Sequence, residues 1–311
     1  MKMTDGTLDN GLSSCELSVD IAGKIRLVEH FEWDIQMRLN PRINSITPYA
    51  TINQFIESYT LRLLELMEQN LVGIYLTRSL SYGDFDLGSS DIDITNITTG
   101  KLSQDELSIL EQFHHALHVD FQEWAARFEC TYTPVEMLRY SFSPEAPRPW
   151  YNGPENHLYK EAPYGNEWVI NNYLLYEYSI TLAGIDFKNI SAPIRIQEVQ
   201  KACVKDFQTE WRHKIYDKAF LSNDHYTSYF VLNLCRILFT IFNARSGTKK
   251  QSSEWVKSEY PKWEEVIISA QKWEYGKAMI DRDKIIAFAR FIFNEIENSD
   301  FYKSIYPGDS I

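Results

Sequence analysis

Residues 71–97 read LVGIYLTRSLSYGDFDLGSSDIDITNI. Leu71–Leu76 is an apolar run of strand length, and Asp91–Ile97 alternates polar with apolar residues at the period of two that marks a strand. Between them lies a turn of small residues that includes Ser79, Gly83, Gly88, Ser89 and Ser90. Side chains two apart on a strand share a face, which predicts Asp91 and Asp93 side by side with α-carbons about 6.5 Å apart and Ile92 packed behind them. Two parallel carboxylates suit a hard cation such as Mg²⁺, which keeps positions for water or phosphate. Turns rich in glycine and serine let backbone N–H groups converge on a phosphate. A lone Asp-X-Asp usually marks a solvated strand edge; here the strand–turn–strand setting gives it weight. No Walker-type Gly-Lys-Ser/Thr and no dinucleotide fingerprint occurs.

A third carboxylate lies on the next expected strand, RFECTYT (Arg127–Thr133). Glu129 sits between Phe128 and Cys130 and should point away from their apolar face, where it could reach a metal or act as a general base near the aspartates.

The rest of the chain sets the frame. Its 311 residues are 44% hydrophobic and 14% aromatic, enough for two modest packed domains. With 43 acidic against 31 basic residues the formal charge is −12, which argues against a general nucleic-acid surface. The same charge suits attraction of a small cationic ligand, or simply solubility. Four scattered cysteines, at 15, 130, 203 and 235, and an N-terminal stretch without an apolar core lead us to expect a cytoplasmic protein. The most apolar stretch, Tyr229–Phe242, is short for a bilayer and carries Arg236; we read it as a core helix, with no membrane partner.

Periodicity predicts a helix from Thr51, with Phe55, Ile56, Tyr59, Leu63, Leu66 and Met67 on one stripe. Another opens at Ser103 with Glu106 in capping-box spacing and runs to about Leu117. His114 and His118 on it are read as surface histidines, since the glutamate of a His-Glu-X-X-His zinc motif is missing. Five of the eleven prolines fall between Ser141 and Gly165 and mark a boundary. Beyond it every segment reads helical, Trp168–Ala183 included. Little periodicity is seen before residue 49, apart from an amphipathic turn around Ile25–Phe31. The expected organisation is an N-terminal extension over 1–48, an α/β domain with a small mixed sheet over 49–140, a proline-rich linker over 141–165 and an all-α helical bundle over 166–311.

The stretch GIYLTRSLSYGDFDLGSSDID (residues 73–93) resembles the nucleotidyltransferase signature, in which Gly-Ser, a spacer and Asp-X-Asp form the metal–triphosphate site. From about residue 50 onward the chain resembles the aminoglycoside adenylyltransferases that modify streptomycin and spectinomycin. The strand with Glu129 resembles the family's strand carrying the catalytic base. YSITLAGID (Tyr178–Asp186) and VLNLCRILFT (Val231–Thr240) resemble its helical domain. The resemblance implies transfer of AMP from ATP to a drug hydroxyl with release of pyrophosphate. Mg²⁺ would lie on Asp91 and Asp93, and Glu129 would be the base. Ser79, Arg236, Lys249 and Tyr229 would lie at the nucleotide, Tyr229 falling where relatives often carry histidine. Asp224, Trp150 and Trp168 are the candidate contacts to a small cationic antibiotic. A monomer is expected.

One position departs from the pattern. Relatives have Gly-Ser where this chain has Arg78-Ser79. If φ there is positive, arginine adds strain on the order of 1 kcal/mol. Its side chain either obstructs the phosphates or binds them. Arg78 therefore keeps one alternative in view, a degenerate member that binds nucleotide or ligand with impaired catalysis; a separate alternative is a nucleotidyltransferase acting on another acceptor, such as a protein.

Overall fold

The computed structural model describes residues 17–19, 25–27, 39–274, 276–279 and 281–307. Residues 1–35 and 36–311 are separate units. In the first, β1 (Leu17–Val19) and β2 (Ile25–Leu27) pair antiparallel, Ser18 opposite Arg26. The remainder of the expected turn around Ile25–Phe31, and Cys15, lie outside the described residues.

The second unit begins at the sheet. Leu39 bridges to Ala183, and Asn40 donates from its backbone N–H to the Leu182 carbonyl at 2.8 Å. Residues 39–48, expected within an N-terminal extension, thus pack on the domain, and Ile43 is buried in its core. Helix α1 (Ala50–Met67) follows, burying Ile52, Phe55, Ile56, Tyr59, Leu63 and Met67 on one side, as the stripe predicts. Leu66 falls just outside the buried arc and is exposed. Each fully buried large side chain contributes about 1.5–3 kcal/mol, so this face anchors the helix.

Next come β3 (Leu71–Thr77), β4 (Ile92–Thr98), α2 (Gln104–Asp120), α3 (Gln122–Ala125), β5 (Phe128–Pro134), β6 (Arg148–Asn152) and β7 (His157–Ala162). Helix α4 (Trp168–Tyr178) leads into β8 (Ile180–Gly184). Ser103 caps α2 with Glu106 in a complete capping box. The six strands form one mixed sheet in the order β7-β6-β5-β4-β3-β8. Only the β4–β5 pair is parallel, and α2 and α3 cross over between them.

Three expectations change here. The proline-rich segment 141–165 carries β6 and β7, a hairpin that extends the sheet; Pro149 is in β6, and prolines 144, 147, 154 and 163 lie outside the strands. The stretch Trp168–Ala183 is not one helix: α4 ends at Tyr178, and β8 pairs antiparallel with β3. The boundary falls at Ser179, whose extended backbone ends α4 before β8 begins. His114 is not a surface histidine. It is buried, stacked on Tyr151 at 3.9 Å between centroids, with Nε2 2.8 Å from the Tyr132 hydroxyl. Burial pushes its pKa down to about 3, so it is neutral.

The C-terminal helices are α5 (Ile196–Asp206), extended by one π turn to Trp211, α6 (Lys218–Ser222), α7 (Asp224–Asn243), α8 (Lys249–Glu259), α9 (Glu264–Gln271), α10 (Arg282–Asn298) and α11 (Asp300–Ile305). They pack around α7, which is apolar on nearly every face and is the core helix the composition predicts. No helix among the described residues is long and apolar enough to cross a membrane.

Candidate functional site

Two strands set the carboxylates. Along β4, Ile92 and Ile94 enter the core while Asp93 and Thr95 face the other way. Along β5, Phe128 and Cys130 are buried and Glu129 and Thr131 alternate with them. The parallel register puts Asp93 directly beside Glu129 and Thr95 beside Thr131. Neighbouring strands lie about 4.8 Å apart, so the two carboxylates share one face. Thr77 of β3 pairs with Asp93, and Asn152 of β6 with Glu129, completing the row. Asp91 stands just before β4, with its Oδ1 buried and without a hydrogen-bond partner among the described residues.

Burial dominates the electrostatics of all three acids. It pushes Asp93 up to about 7, against the pull of Arg78, with Glu129 and Asp91 adding to the rise. Burial likewise raises Glu129, opposed by Arg78 and aided by Asp91. Asp91 is raised by burial and pulled back by His225, Arg127, Lys249 and Arg78.

The loop between β3 and β4 is tied down from β5's side. Arg127 donates to the Leu87 carbonyl at 2.7 Å and to that of Ser90. Ser79 is in the 3₁₀ turn Arg78–Leu80, and its carbonyl accepts from Asp84 N–H at 2.9 Å. Arg78 opens that turn at φ +56°, the left-handed region that favours glycine. Its Nε lies 3.3 Å from Asp93 Oδ1.

The helical half brings cations to the same place. Lys249 opens α8, its ammonium 5.3 Å from the centre of the Tyr229 ring. Burial lowers its pKa and Arg236 nearby lowers it further, while Asp91 and Asp93 raise it. Tyr229 is raised by burial and pulled down by Arg78 and Arg236. Arg236, Lys249 and Tyr229 thus lie within electrostatic reach of one another, and Lys249 within reach of Asp91 and Asp93. Across the two halves, Lys250 N–H donates to Asp84 Oδ2 at 3.2 Å.

A cavity of about 620 Å³ opens beside Asp93 and Glu129. Glu161, Glu167, Trp150 and Tyr159 line it, the two rings stacked at 5.3 Å. Trp168 lines it too, but it is buried and its indole donates to the Tyr140 carbonyl at 3.0 Å, a packing role. Asp224 does not line the cavity. Arg282 and the Met279 N–H hold its carboxylate, and these bonds lower its pKa. A sequence cannot show that a helix-opening acid is already taken by a residue 58 positions away. Arg127, His225, Glu161 and Glu167 escaped sequence reading because none lies in a motif. The strand alternation around β7 was the one signal for Glu161.

Among the described residues no three His, Cys, Asp or Glu side chains are set to enclose a metal ion. Mg²⁺ is ordinarily held by one or two carboxylates plus phosphate and water, and the orphaned buried Oδ1 of Asp91 fits that demand.

Residues 192–305 match the family model of the aminoglycoside adenylyltransferase C-terminal domain. No curated protein sequence matches the chain. Among solved structures, the spectinomycin adenyltransferase AAD(9) from Enterococcus faecialis, crystallised with ATP and spectinomycin, superposes with a TM-score of 0.64. The match is at 15% identity and covers 79% of this chain and 99% of that one. The C-terminal helical region thus matches the aminoglycoside adenylyltransferase C-terminal domain over residues 192–305, and the chain shares its fold with that solved structure.

Proposed function

We propose that the chain transfers AMP from ATP to a hydroxyl of a cationic aminocyclitol antibiotic of the spectinomycin or streptomycin type. The observation that carries this reading is the in-register pairing of Asp93 with Glu129 at the rim of an acidic, aromatic-walled cavity. Asp93, Glu129, Glu161 and Glu167 outnumber the two guanidiniums there, Arg78 and Arg148. Arg148 is itself spent on the Pro163 carbonyl, at 2.7 Å, and the Tyr164 ring. Such a cavity favours an acceptor with amino groups and a sugar face for Trp150.

Asp91 and Asp93 would hold Mg²⁺, which when bound neutralises triphosphate charge. Ser79, Arg236 and Lys249 bind the phosphates from opposite walls. Glu129 accepts the proton of the acceptor hydroxyl. That oxygen forms a bond to the α-phosphorus while the bond to the pyrophosphate oxygen breaks in line. A carboxylate raised above its ordinary range is a better proton acceptor at neutral pH, which suits Glu129 to the task.

The test is pyrophosphate release with ATP, GTP, CTP and UTP against spectinomycin, streptomycin and unrelated hydroxyl acceptors. Transfer specific to ATP and one of the two drugs is expected. Asp91→Asn and Asp93→Asn should each abolish it while keeping the native melting curve. Near-normal release by either variant would remove the metal assignment. The Arg78–Asp93 ion pair favours a second reading, nucleotide binding without turnover, and nucleotide affinity with no release on any acceptor would establish it.

A further inference from the structure

Arg78 sits where a cation is expected to come from solution. Its backbone is left-handed, a strain of about 1 kcal/mol that glycine would not carry. Its guanidinium lies against Asp93, with 15% of the Asp93 side chain exposed and 40% of that of Arg78. The same positive charge acts on Glu129 and Asp91, while Asp91 keeps a buried oxygen without a hydrogen-bond partner.

We propose that Arg78 is a resident cation of the carboxylate cluster: it fills the position beside Asp93 and leaves Asp91 as the carboxylate open to an exchangeable divalent ion. This rests on the reading of Asp91 and Asp93 as the metal-holding pair. A guanidinium is permanently charged and carries its donors in a rigid fork, so it neutralises Asp93 without exchanging. Mg²⁺ entering at Asp93 must displace it and meet a like charge within a few ångströms. The chain's dependence on divalent cation is set accordingly by this one side chain.

The experiment is titration of the full chain with Mn²⁺ alone, free ion being read by electron paramagnetic resonance. Arg78→Gly relieves the backbone and frees Asp93; Arg78→Gln keeps the side chain's length without its charge. Both are expected to bind Mn²⁺ at least about tenfold more tightly than wild type. Arg78→Lys should stay near wild type, and the gain of Arg78→Gly should vanish in the Arg78→Gly/Asp93→Asn double variant. Lys249→Met removes the same charge from the same site without freeing Asp93 and should gain much less. Equal Mn²⁺ affinity in wild type and both charge-removing variants overturns the proposal, as does a gain in Lys249→Met matching that of Arg78→Gly. Neither result touches the transfer assay. Mn²⁺ binding by none of the variants overturns the metal assignment as well. The predicted contrast with no transfer to any acceptor supports the resident cation and sinks only the acceptor assignment.

Discussion

Glu129, the proposed base, owes its placement to one register position. Phe128 and Cys130 on either side enter the core, so the backbone has no choice but to aim the carboxylate at Asp93's face. Glu129→Gln preserves shape and packing and removes the proton acceptor. Turnover is expected to fall by about 10²–10⁴-fold. ATP affinity by calorimetry should change by less than about threefold; a parallel collapse would make Glu129 a metal ligand instead. A different buried acid makes stability depend on pH. Burial pushes Asp206 up to about 6, and the Trp211 indole donates to it at 2.6 Å. A folded pKa above the unfolded value of about 3.9 means the contribution is present below about pH 4 and lost as pH rises through about 6. Asp206→Asn keeps an acceptor for Trp211 and never ionises. Unfolding across pH 4–8 should find it more stable than wild type near pH 7.5, by about 3 kcal/mol, with the difference closing by pH 4. A difference independent of pH would mean that Asp206 titrates in the folded protein as it does in the unfolded chain, with no upward shift.

At the scale of elements, the β3–β4 connection does the positioning. It carries Arg78, Ser79 and Asp91 on a loop whose own Leu80 and Phe85 pack on the core and whose glycine- and serine-rich end is held from outside. Arg127, at the mouth of β5, grips two of its carbonyls and also lies near Asp91. Arg127→Met keeps an apolar stem and loses both bonds together with the guanidinium over the Trp124 ring. The expected result is a rise of about tenfold in the KM for ATP with kcat within about threefold, since the loop presents phosphate ligands and Glu129 stays on its strand. A fall in kcat with KM unchanged would place Arg127 at the reacting atoms.

Across the whole molecule, the proposed nucleotide site draws on both halves. The sheet supplies acids and the turn; α7 and α8 supply Arg236 and Lys249, and the contact between Asp84 and the Lys250 N–H holds the first turn of α8 to the loop. Arg236→Met and Lys249→Met are each expected to weaken ATP binding by about tenfold or more, with melting temperatures near wild type, because neither side chain is core. Calorimetry checks this, and unchanged affinity returns both residues to structural roles. The double variant should fall short of the product of the single effects, as the two cations act at one site, where Arg236 opposes the charge on Lys249.

Local pattern determined the parts whose cause is local. Strand alternation placed Ile92 and Phe128 in the core and Asp93 and Glu129 on the opposite face; an amphipathic stripe placed α1; the Ser103–Glu106 box started α2. Those follow from a period and a cap, which a linear chain carries in full. Tertiary structure alone decided the rest. β8 became a strand because β3 offered an edge, and the proline-rich hairpin became sheet because β5 did. His114 is neutral because Tyr151 and Tyr132 close over it. Asp224 was lost to the site because Arg282 reached it first, and Arg78 was drawn to Asp93 by a turn that only long-range pairing creates. Each of those outcomes depends on which distant group arrives, and charge, burial and edge pairing between distant residues leave no mark on the sequence around them.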